Sequence, residues 1–338
     1  MLADKPEGSA RATREGAPLD LRRHIRPEEA LLLLYALALA AVMQATHTWV
    51  FAAKVHSLGF ASLFLSCFVV LAVLIFRRTY RQERLVHDGA TARRRALRPA
   101  LAVVRDFFPF LIAILLYEML HDLTPVLRPV VVDDLLIAID RRLFGTDLSW
   151  WLGRFASPAL THIMVFCYTS YFFAPGLLAS LLYWNGERRL FRDYLLSMCF
   201  VTVIGYVGYI LVPAVGPYVY QSALFPTRLP GGGMGTHSFV AAIDDLRGIA
   251  RDCFPSLHTA HTLCVLAFAW RFSRKVFWGY LPIGIGLIIS TLYLRYHYGI
   301  DLIAGFATAA GSVAVAPRIE KWWFGQRAAH FGARDSLD

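Results

Sequence analysis

Charged residues are scarce in this chain. Aspartate, glutamate, lysine and arginine make up 17% of its 338 residues, whereas hydrophobic residues make up 57%. Charged residues account for about 25% of an ordinary globular domain. Apolar runs of about 20 residues, long enough to cross a ~30 Å hydrocarbon layer, recur along nearly the whole chain. The composition excludes an ordinary water-soluble domain and predicts an all-α, polytopic membrane protein.

Paired cysteines are also absent. None of the five cysteines has CxxC spacing, and four lie in apolar runs, so we expect packing residues rather than a disulfide framework. The net charge of +10 does not indicate a nucleic-acid partner, because the basic residues form short clusters between apolar runs. The first apolar run has no cleavage site of small residues, so we expect a retained helix rather than a signal peptide.

Eight apolar stretches predict about eight membrane helices. They are residues 30–53, 58–77, 101–121, 159–183, 194–213, 256–271, 277–296 and 299–316. Threading the chain through these spans places 24 of the 34 lysines and arginines on one side, which the positive-inside rule makes cytoplasmic. We therefore expect a protein of the bacterial inner membrane whose remaining loops face the periplasm.

Two of the non-cytoplasmic segments are long. Residues 131–157 mix apolar and charged residues and contain Trp150 and Trp151, which is typical of a helix lying in the membrane interface but also fits an ordinary connecting helix. Residues 214–255 are rich in proline and glycine and predict a flexible lid. The glycine run 231–235 within them is only a weak candidate for cradling phosphate, because no strand precedes it and no lysine follows.

Three side chains predict a catalytic set at the non-cytoplasmic helix ends. Pro255 and Ser256 are typical of a helix start, where free N–H groups favour an anion, and His258 lies one turn further. His297 and Asp301 are four residues apart, so the carboxylate can fix the imidazole tautomer and leave the other nitrogen free to attack. We predict His297 as the nucleophile, Asp301 as its orienting group and His258 as the general acid and base.

These blocks resemble a known family. The motifs Pro255-Ser256-x-His258 and Ser290-x6-His297-x3-Asp301 are similar to the second and third signatures of the type 2 phosphatidic acid phosphatase (PAP2) superfamily. The form Phe254 to His258, the tyrosine-rich run 292–298 and the block Asp140-x2-Leu143-Phe144-Gly145 resemble its inositol phosphorylceramide synthase-like branch.

The resemblance implies a division of the chain. Residues 101–316 would form a catalytic membrane domain with a six-helix core, and residues 28–100 would add two helices and a basic cytoplasmic loop. Independently of the resemblance, the charge distribution makes residues 1–27 and 317–338 cytoplasmic tails, and the proline, glycine and mixed charge of residues 1–27 predict disorder there. The implied partners are a membrane phospholipid donor and a lipid alcohol, a polyol or water as acceptor, with no cofactor.

The chain departs from the phosphatase pattern in its cations. The third signature of that branch pairs its serine with an arginine where this chain has Thr291, and the first signature has no convincing match near residues 206–217. We predict Arg295 and Arg251 as substitutes in phosphate binding, with Arg228 third. The other predicted substrate-binding residues are Ser256, Ser290 and His261. His121 and Asp122 are candidates for binding an acceptor headgroup.

Three alternatives remain open from the sequence. His258, His261, His297 and Asp301 could hold a metal ion, although the predicted chemistry uses none. The same histidine pair could serve a lipid phosphate phosphatase acting on phosphatidic acid or a prenyl diphosphate. A non-enzymatic lipid transporter is a further alternative, but the sequence has no inverted repeat or paired broken helices to support it.

Overall fold

The computed structural model describes residues 25–48, 58–225, 229–230 and 251–331. These residues are helical, with short 3₁₀ turns and no strand among them, so the predicted all-α fold class is confirmed. Numbered in chain order, the α-helices are α1 (Pro27–Ala45), α2 (Leu58–Glu83), α3 (Gly89–Leu127), α4 (Asp133–Phe144), α5 (Leu148–Gly153), α6 (Pro158–Thr169), α7 (Ala174–Trp184), α8 (Arg188–Leu211), α9 (Pro217–Tyr220), α10 (Leu257–Phe272), α11 (Arg274–Tyr293) and α12 (Gly299–Phe331).

The chain is an integral membrane protein by the length and composition of its helices. Within the described residues, five helices are long and apolar enough to cross a membrane: α1, α3, α8, α11 and the Gly299–Trp323 part of α12. A sixth span arises if α6 and α7 are counted together, although the chain bends there by 48°. Each predicted apolar stretch overlaps a helix, but the predicted count of eight spans is not confirmed.

The central helices bring the predicted catalytic motifs to one end of the bundle. α8, α10 and α12 pack against one another, α1 and α3 pack on α8, and α11 packs between α6 and α10. The loops that follow α8 and α11 and the starts of α10 and α12 therefore meet at the same end. α4 and α5 lie beside this end, and α4 contacts α12.

α4 and α5 cover most of the segment predicted to lie in the interface. α4 buries Leu136 and Ile137 against the bundle, whereas Leu135 and Leu143 are exposed. It ends at Gly145, whose positive φ of 72° allows the left-handed cap that glycine adopts without strain. Its location at a membrane surface stays a prediction, as do the domain boundaries given above.

Ion pairs hold the other end of the bundle together. Arg192 on α8 lies 3.3 Å from the carboxylate of Glu28 on α1 and 2.7 Å from that of Glu320 on α12. Glu28 is completely buried. Arg26 and Arg188 approach Asp106 on α3 nearby. These contacts join four helices that are distant in sequence.

Candidate active site

The start of α10 is built as its sequence predicts. Ser256 caps the helix, because its hydroxyl oxygen accepts hydrogen bonds from the backbone N–H of Thr259 (3.3 Å) and from the Thr259 hydroxyl (3.1 Å). The backbone N–H of Ser256 donates to the main-chain oxygen of Asp301 (3.0 Å), which ties the starts of α10 and α12 together. The Ser256 side chain is buried and serves the cap.

The three predicted catalytic side chains form one continuous chain of contacts. His258 Nδ1 lies 3.1 Å from His297 Nε2, and His297 Nδ1 lies 3.3 Å from Asp301 Oδ2. His297 and Asp301 are fully buried. A new helix starts at Gly299, so the two residues meet across the entry into α12 rather than on one continuous helix. Their catalytic roles stay a prediction, but the geometry that these roles require is present.

The carboxylate of Asp301 is held by several donors. Besides facing His297, Oδ2 accepts hydrogen bonds from the backbone N–H of Tyr298 (2.7 Å) and from the thiol of Cys253 (2.9 Å). Oδ1 has no hydrogen-bond partner among the described residues. The carboxylate is thereby fixed with one oxygen directed toward the imidazole.

Two aspartates of α4 position the loops around this pair, a role that was not predicted from the sequence. Asp140 accepts hydrogen bonds from the backbone N–H groups of Gly299 (2.6 Å) and Ile300 (2.8 Å) at the start of α12. This placement satisfies two donors that a helix start leaves unpaired. Burial raises the pKa of Asp140, whereas these hydrogen bonds favour the carboxylate and lower it.

Asp133 positions the loop after α8 by accepting hydrogen bonds from its backbone N–H groups. Its carboxylate accepts from the backbone N–H groups of Val215 (3.1 Å) and Gly216 (2.9 Å) and from the Tyr298 hydroxyl (2.9 Å). Burial raises the pKa of Asp133, and these three hydrogen bonds oppose that effect. The only available signal in the sequence was the pair of acidic residues at the start of α4, which normally indicates helix capping.

Aromatic rings enclose His258. The ring centre of Tyr171 lies 4.3 Å from that of His258, and the ring of Tyr168 lies 5.0 Å away. The ring of Tyr296 packs on that of Tyr168, with the ring centres 5.2 Å apart. Such packing limits the access of water to the histidine pair and strengthens the electrostatic interactions within it.

The predicted cations occupy different surroundings. Arg295 is buried, has a positive φ of 69°, and its guanidinium lies 4.1 Å from the centre of the Phe225 ring. Arg251 is half-buried and donates to the main-chain oxygen of Arg128 at the end of α3. Arg228 and the glycine run 231–235 lie outside the described residues. Phosphate binding by Arg295 and Arg251 stays a prediction.

Two other predicted substrate-binding side chains have partners within the protein. The Ser290 hydroxyl donates to the main-chain oxygen of Leu287 (2.6 Å). His261 lies behind His258 with Nδ1 3.2 Å from the Tyr171 hydroxyl and Nε2 3.0 Å from the Thr202 hydroxyl. Both residues are buried and contribute to packing around the site in this arrangement, and their predicted role in substrate binding is untested.

A polar cluster lies at the end of α3, near the loop that precedes α10. His121 Nδ1 is 3.4 Å from the carboxylate of Asp122, and the Tyr117 hydroxyl donates to Asp252 (2.7 Å). Asp252 directly precedes Cys253, so this cluster is connected to the site. Binding of an acceptor headgroup by His121 and Asp122 stays a prediction.

The side chains that lie close enough together to bind a metal ion differ from the set considered in the sequence analysis. Cys253, His297 and Asp301 each offer one ligand atom, and these atoms lie within 4.8 Å of one another. Burial and the charge of Asp301 raise the pKa of the Cys253 thiol well above its usual value. A protonated thiol favours the hydrogen bond to Asp301, whereas zinc prefers a thiolate.

Comparisons with known proteins agree with the motifs. The family model of the PAP2 superfamily matches residues 134–315, more than half of the chain. An inositol phosphorylceramide synthase of Candida albicans is 26% identical over 192 residues, which cover 53% of this chain and 40% of that protein. A phosphoinositol dihydroceramide synthase of Bacteroides thetaiotaomicron is 30% identical over 149 residues, covering 40% of this chain and 48% of that protein.

A third relative supports the same assignment. The catalytic subunit of an inositol phosphorylceramide synthase of Saccharomyces cerevisiae is 28% identical over 201 residues, covering 53% of this chain and 47% of that protein. The chain thus spans about half the length of the curated relatives it matches, and no solved structure matches it. The extent of the family match, together with the paired histidine motifs, shows that the chain belongs to the PAP2 superfamily.

Proposed function

We propose that this chain is a membrane-embedded phosphotransferase that moves a phospho-headgroup from a phospholipid to an alcohol acceptor through a phosphohistidine at His297. The observation that carries the proposal is the line of contacts from the half-buried His258 through the buried His297 to the buried Asp301. It provides a nucleophile, an orienting carboxylate and a proton donor within one site.

In the first step His297 Nε2 attacks the phosphorus of the donor lipid. An N–P bond forms, the P–O bond to the diacylglycerol oxygen breaks, and His258 gives that oxygen its proton. His297 Nε2 faces His258 Nδ1 at 3.1 Å, so the phosphoryl group has to enter between the two rings. Asp301 accepts a hydrogen bond from His297 Nδ1–H and stabilises the positive charge that develops on the imidazole.

In the second step the acceptor hydroxyl attacks the phosphohistidine. His258, now without its proton, removes the hydroxyl proton, and the N–P bond breaks as the new P–O bond forms. Arg295 is the cation that we assign to the phosphoryl oxygens, since it is buried and lies two residues before His297. Its charge would offset the negative charge of the transition state.

The relatives suggest the headgroup and the acceptor. Two of them are named for making inositol phosphorylceramide and one for making phosphoinositol dihydroceramide. We infer that the headgroup is inositol phosphate, that phosphatidylinositol is the donor, and that the acceptor is a ceramide-like lipid alcohol. Hydrolysis of a lipid phosphate, with water as acceptor, is the alternative reaction of the same histidine pair.

Transfer can be measured in vesicles with phosphatidylinositol labelled in the inositol ring, with and without ceramide. We expect the label to move onto ceramide, and we expect no transfer with His297→Ala. Parallel vesicles with phosphatidic acid or a prenyl diphosphate test the alternative. Label released only in water-soluble form, or free phosphate as the sole product, would replace the transferase assignment by hydrolysis.

The proposed chemistry needs no divalent metal. We expect EDTA to leave transfer unchanged, because the nucleophile is an imidazole and the leaving group receives its proton from His258. Loss of turnover in EDTA that Zn²⁺ restores would instead favour a metal held by Cys253, His297 and Asp301.

We further propose that the site opens to the periplasmic side, since the helix ends that carry it lie opposite the basic loops. The test uses a cysteine at the exposed position Arg142 on α4, with one at the exposed position Arg94 on α3 as the matched control. The described native cysteines are buried and should react little. In whole cells, an impermeant thiol reagent should label Arg142→Cys and spare Arg94→Cys; the reverse pattern refutes this orientation.

A further inference from the structure

Cys253 lies directly against the predicted catalytic pair. Its sulfur is 2.9 Å from Asp301 Oδ2, 3.3 Å from the main-chain oxygen of Tyr296 and 3.7 Å from His297 Nδ1. The side chain is only 1% exposed. Neither the motif resemblance nor the catalytic scheme assigns this thiol a role.

We propose that Cys253 is a positioning residue that sets how strongly Asp301 binds His297. The proposal rests on the function proposed above, in which His297 is the nucleophile. A thiol has one hydrogen, and the carboxylate of Asp301 is the nearer and the more strongly charged acceptor. Burial keeps the sulfur protonated, because it raises the pKa of the Cys253 thiol.

The hydrogen-bond donors that contact Asp301 Oδ2 compete for the negative charge of this carboxylate oxygen. Tyr298 N–H and the Cys253 thiol contact this oxygen at 2.7 and 2.9 Å, whereas His297 contacts it at 3.3 Å. A thiol is a weak donor compared with a hydroxyl. Cys253 therefore fixes the carboxylate in place while leaving most of its charge to stabilise the imidazolium of His297.

The surroundings hold the sulfur in this position. A Cβ atom added at Gly216 would lie 3.3 Å from the Cys253 sulfur and 2.6 Å from the Tyr296 oxygen, and Gly216 has a positive φ of 85°. The backbone N–H of Cys253 also donates to the main-chain oxygen of Ala214 (3.3 Å). The loop after α8 thus packs behind the thiol, so the sulfur has little room to turn away from Asp301.

Two substitutions should have opposite effects on the pair. Cys253→Ala removes a competing donor, so the His297 Nδ1–H bond to Asp301 should strengthen. Cys253→Ser supplies a stronger donor, so the same bond should weaken. The readout is the downfield proton NMR signal of His297 Nδ1–H in the full-length protein in detergent, assigned by its loss in His297→Gln. We expect this signal to move downfield in the alanine variant and upfield in the serine variant.

The pH profile of transfer gives a second readout, measured with phosphatidylinositol and ceramide vesicles. A more negative Asp301 stabilises the imidazolium, so the acidic limb of kcat/KM should move to higher pH in Cys253→Ala and to lower pH in Cys253→Ser. We expect a displacement of about half a pH unit or less in each direction. The other titratable groups facing His297 are His258 and, through Tyr298, Asp133.

Cys264 provides the matched control, because it is a buried cysteine on α10 about 9 Å along the helix from His258. Cys264→Ser and Cys264→Ala should leave the NMR signal and the acidic limb unchanged.

If Cys253→Ala does not fold, Cys253→Ser alone still has a predicted direction. Shifts in the same direction for both variants, or no shift in a folded protein, overturn the proposal. The NMR signal needs no turnover, so absence of transfer would refute the proposed function without deciding this inference.

Discussion

Arg295 occupies a backbone position that normally suits glycine. At the end of α11 the N–H of Tyr296 donates to the oxygen of Thr291 (2.8 Å) and that of Arg295 to the oxygen of Leu292 (3.0 Å). This is the Schellman pattern, in which the residue at the Arg295 position adopts the left-handed region and is usually glycine. A strained, buried arginine at such a position indicates that its side chain is needed.

Arg295→Gly should therefore separate stability from function. We expect the thermal midpoint in detergent to stay the same or rise, because glycine relieves strain of about 1 kcal/mol. We expect transfer from phosphatidylinositol to fall by a factor of about 100 or more, since the transition state loses a charged donor. An exposed arginine, Arg154→Gly, serves as control. Full activity in a stable Arg295→Gly protein would exclude the arginine from phosphate binding.

The three proposed catalytic side chains should differ in how the effect of their loss depends on the substrate. His297→Ala removes the attacking atom, and Asp301→Asn should lower turnover by roughly 10³ to 10⁴, the scale known for orienting carboxylates. His258→Ala removes only the proton donor, so its defect should shrink for a lipid analogue with a good leaving group such as p-nitrophenol. The test is to measure the turnover numbers of each variant with the natural donor and with the activated donor.

If His258→Ala lowers turnover by the same factor with the natural and with the activated donor, the assignment of His258 as acid and base is contradicted. Covalent label at His297 offers a control, because His258→Ala should still accumulate phosphohistidine from the activated donor. A fully active His297→Ala protein would exclude the mechanism as a whole.

At the scale of single residues, the spacing of residues along the sequence predicted local pairs, whereas contacts between distant parts of the chain could not be predicted. His297 and Asp301 could be paired from their separation of four residues, and Pro255 with Ser256 indicated the helix start. The contact between Cys253 and Asp301 joins residues 48 positions apart, so no local pattern could show it. The left-handed backbone of Arg295 was equally hidden, because arginine rarely adopts it.

At the scale of elements, α4 acts as a support for α12. Asp140 is 2% exposed and accepts from two N–H groups at the helix start that carries Asp301. Asp140→Asn should lower the free energy of unfolding by about 1–3 kcal/mol, because one of the two donors loses a charged acceptor. It should also reduce kcat more than it changes KM, since Asp301 moves with the helix start.

The matched control is Asp134→Asn on the exposed side of α4, for which we expect little change. Thermal denaturation in detergent and steady-state transfer rates measure the two effects. If Asp140→Asn is as stable and as active as the Asp134 variant, α4 does not support the site.

Element prediction from sequence worked where length and polarity decide the outcome. Apolar stretches of sufficient length overlapped helices throughout, because a chain in hydrocarbon has to satisfy its backbone hydrogen bonds within helices. The single span predicted at 159–183 is instead two helices, α6 and α7, joined through Ser170–Phe172 with a bend of 48°. No charged residue lies at this point, so hydropathy did not show the break, and Pro175 in the first turn of α7 was the local signal for it.

At the scale of the whole molecule, the ion pairs opposite the active site hold the bundle together. Arg192 is the only partner that we find for Glu28 among the described ion pairs, and Glu28 is fully buried. Arg192→Ala should destabilise the protein by about 3–5 kcal/mol, because it leaves a buried charge without compensation. A thermal midpoint in detergent measures this effect.

Arg189→Ala, three residues earlier and exposed, is the control and should have little effect. Adding Glu28→Gln to Arg192→Ala should recover part of the loss, since the unpaired charge is removed. At temperatures where the Arg192 variant stays folded, its KM should match that of the unchanged protein. No loss of stability in Arg192→Ala would show that the bundle does not depend on these pairs.

The link between α4 and α12 also has a consequence for substrate choice. Leu135 and Leu143 face outward from the helix whose Asp140 holds the start of α12. If α4 lies at the membrane surface as predicted, it fixes the depth at which His297 meets phosphorus. Lipids carry their phosphate at a common depth whatever their acyl chains, whereas a soluble phosphate ester would have to leave water to reach it. The fold would then select its substrates by position in the bilayer before any contact with a headgroup.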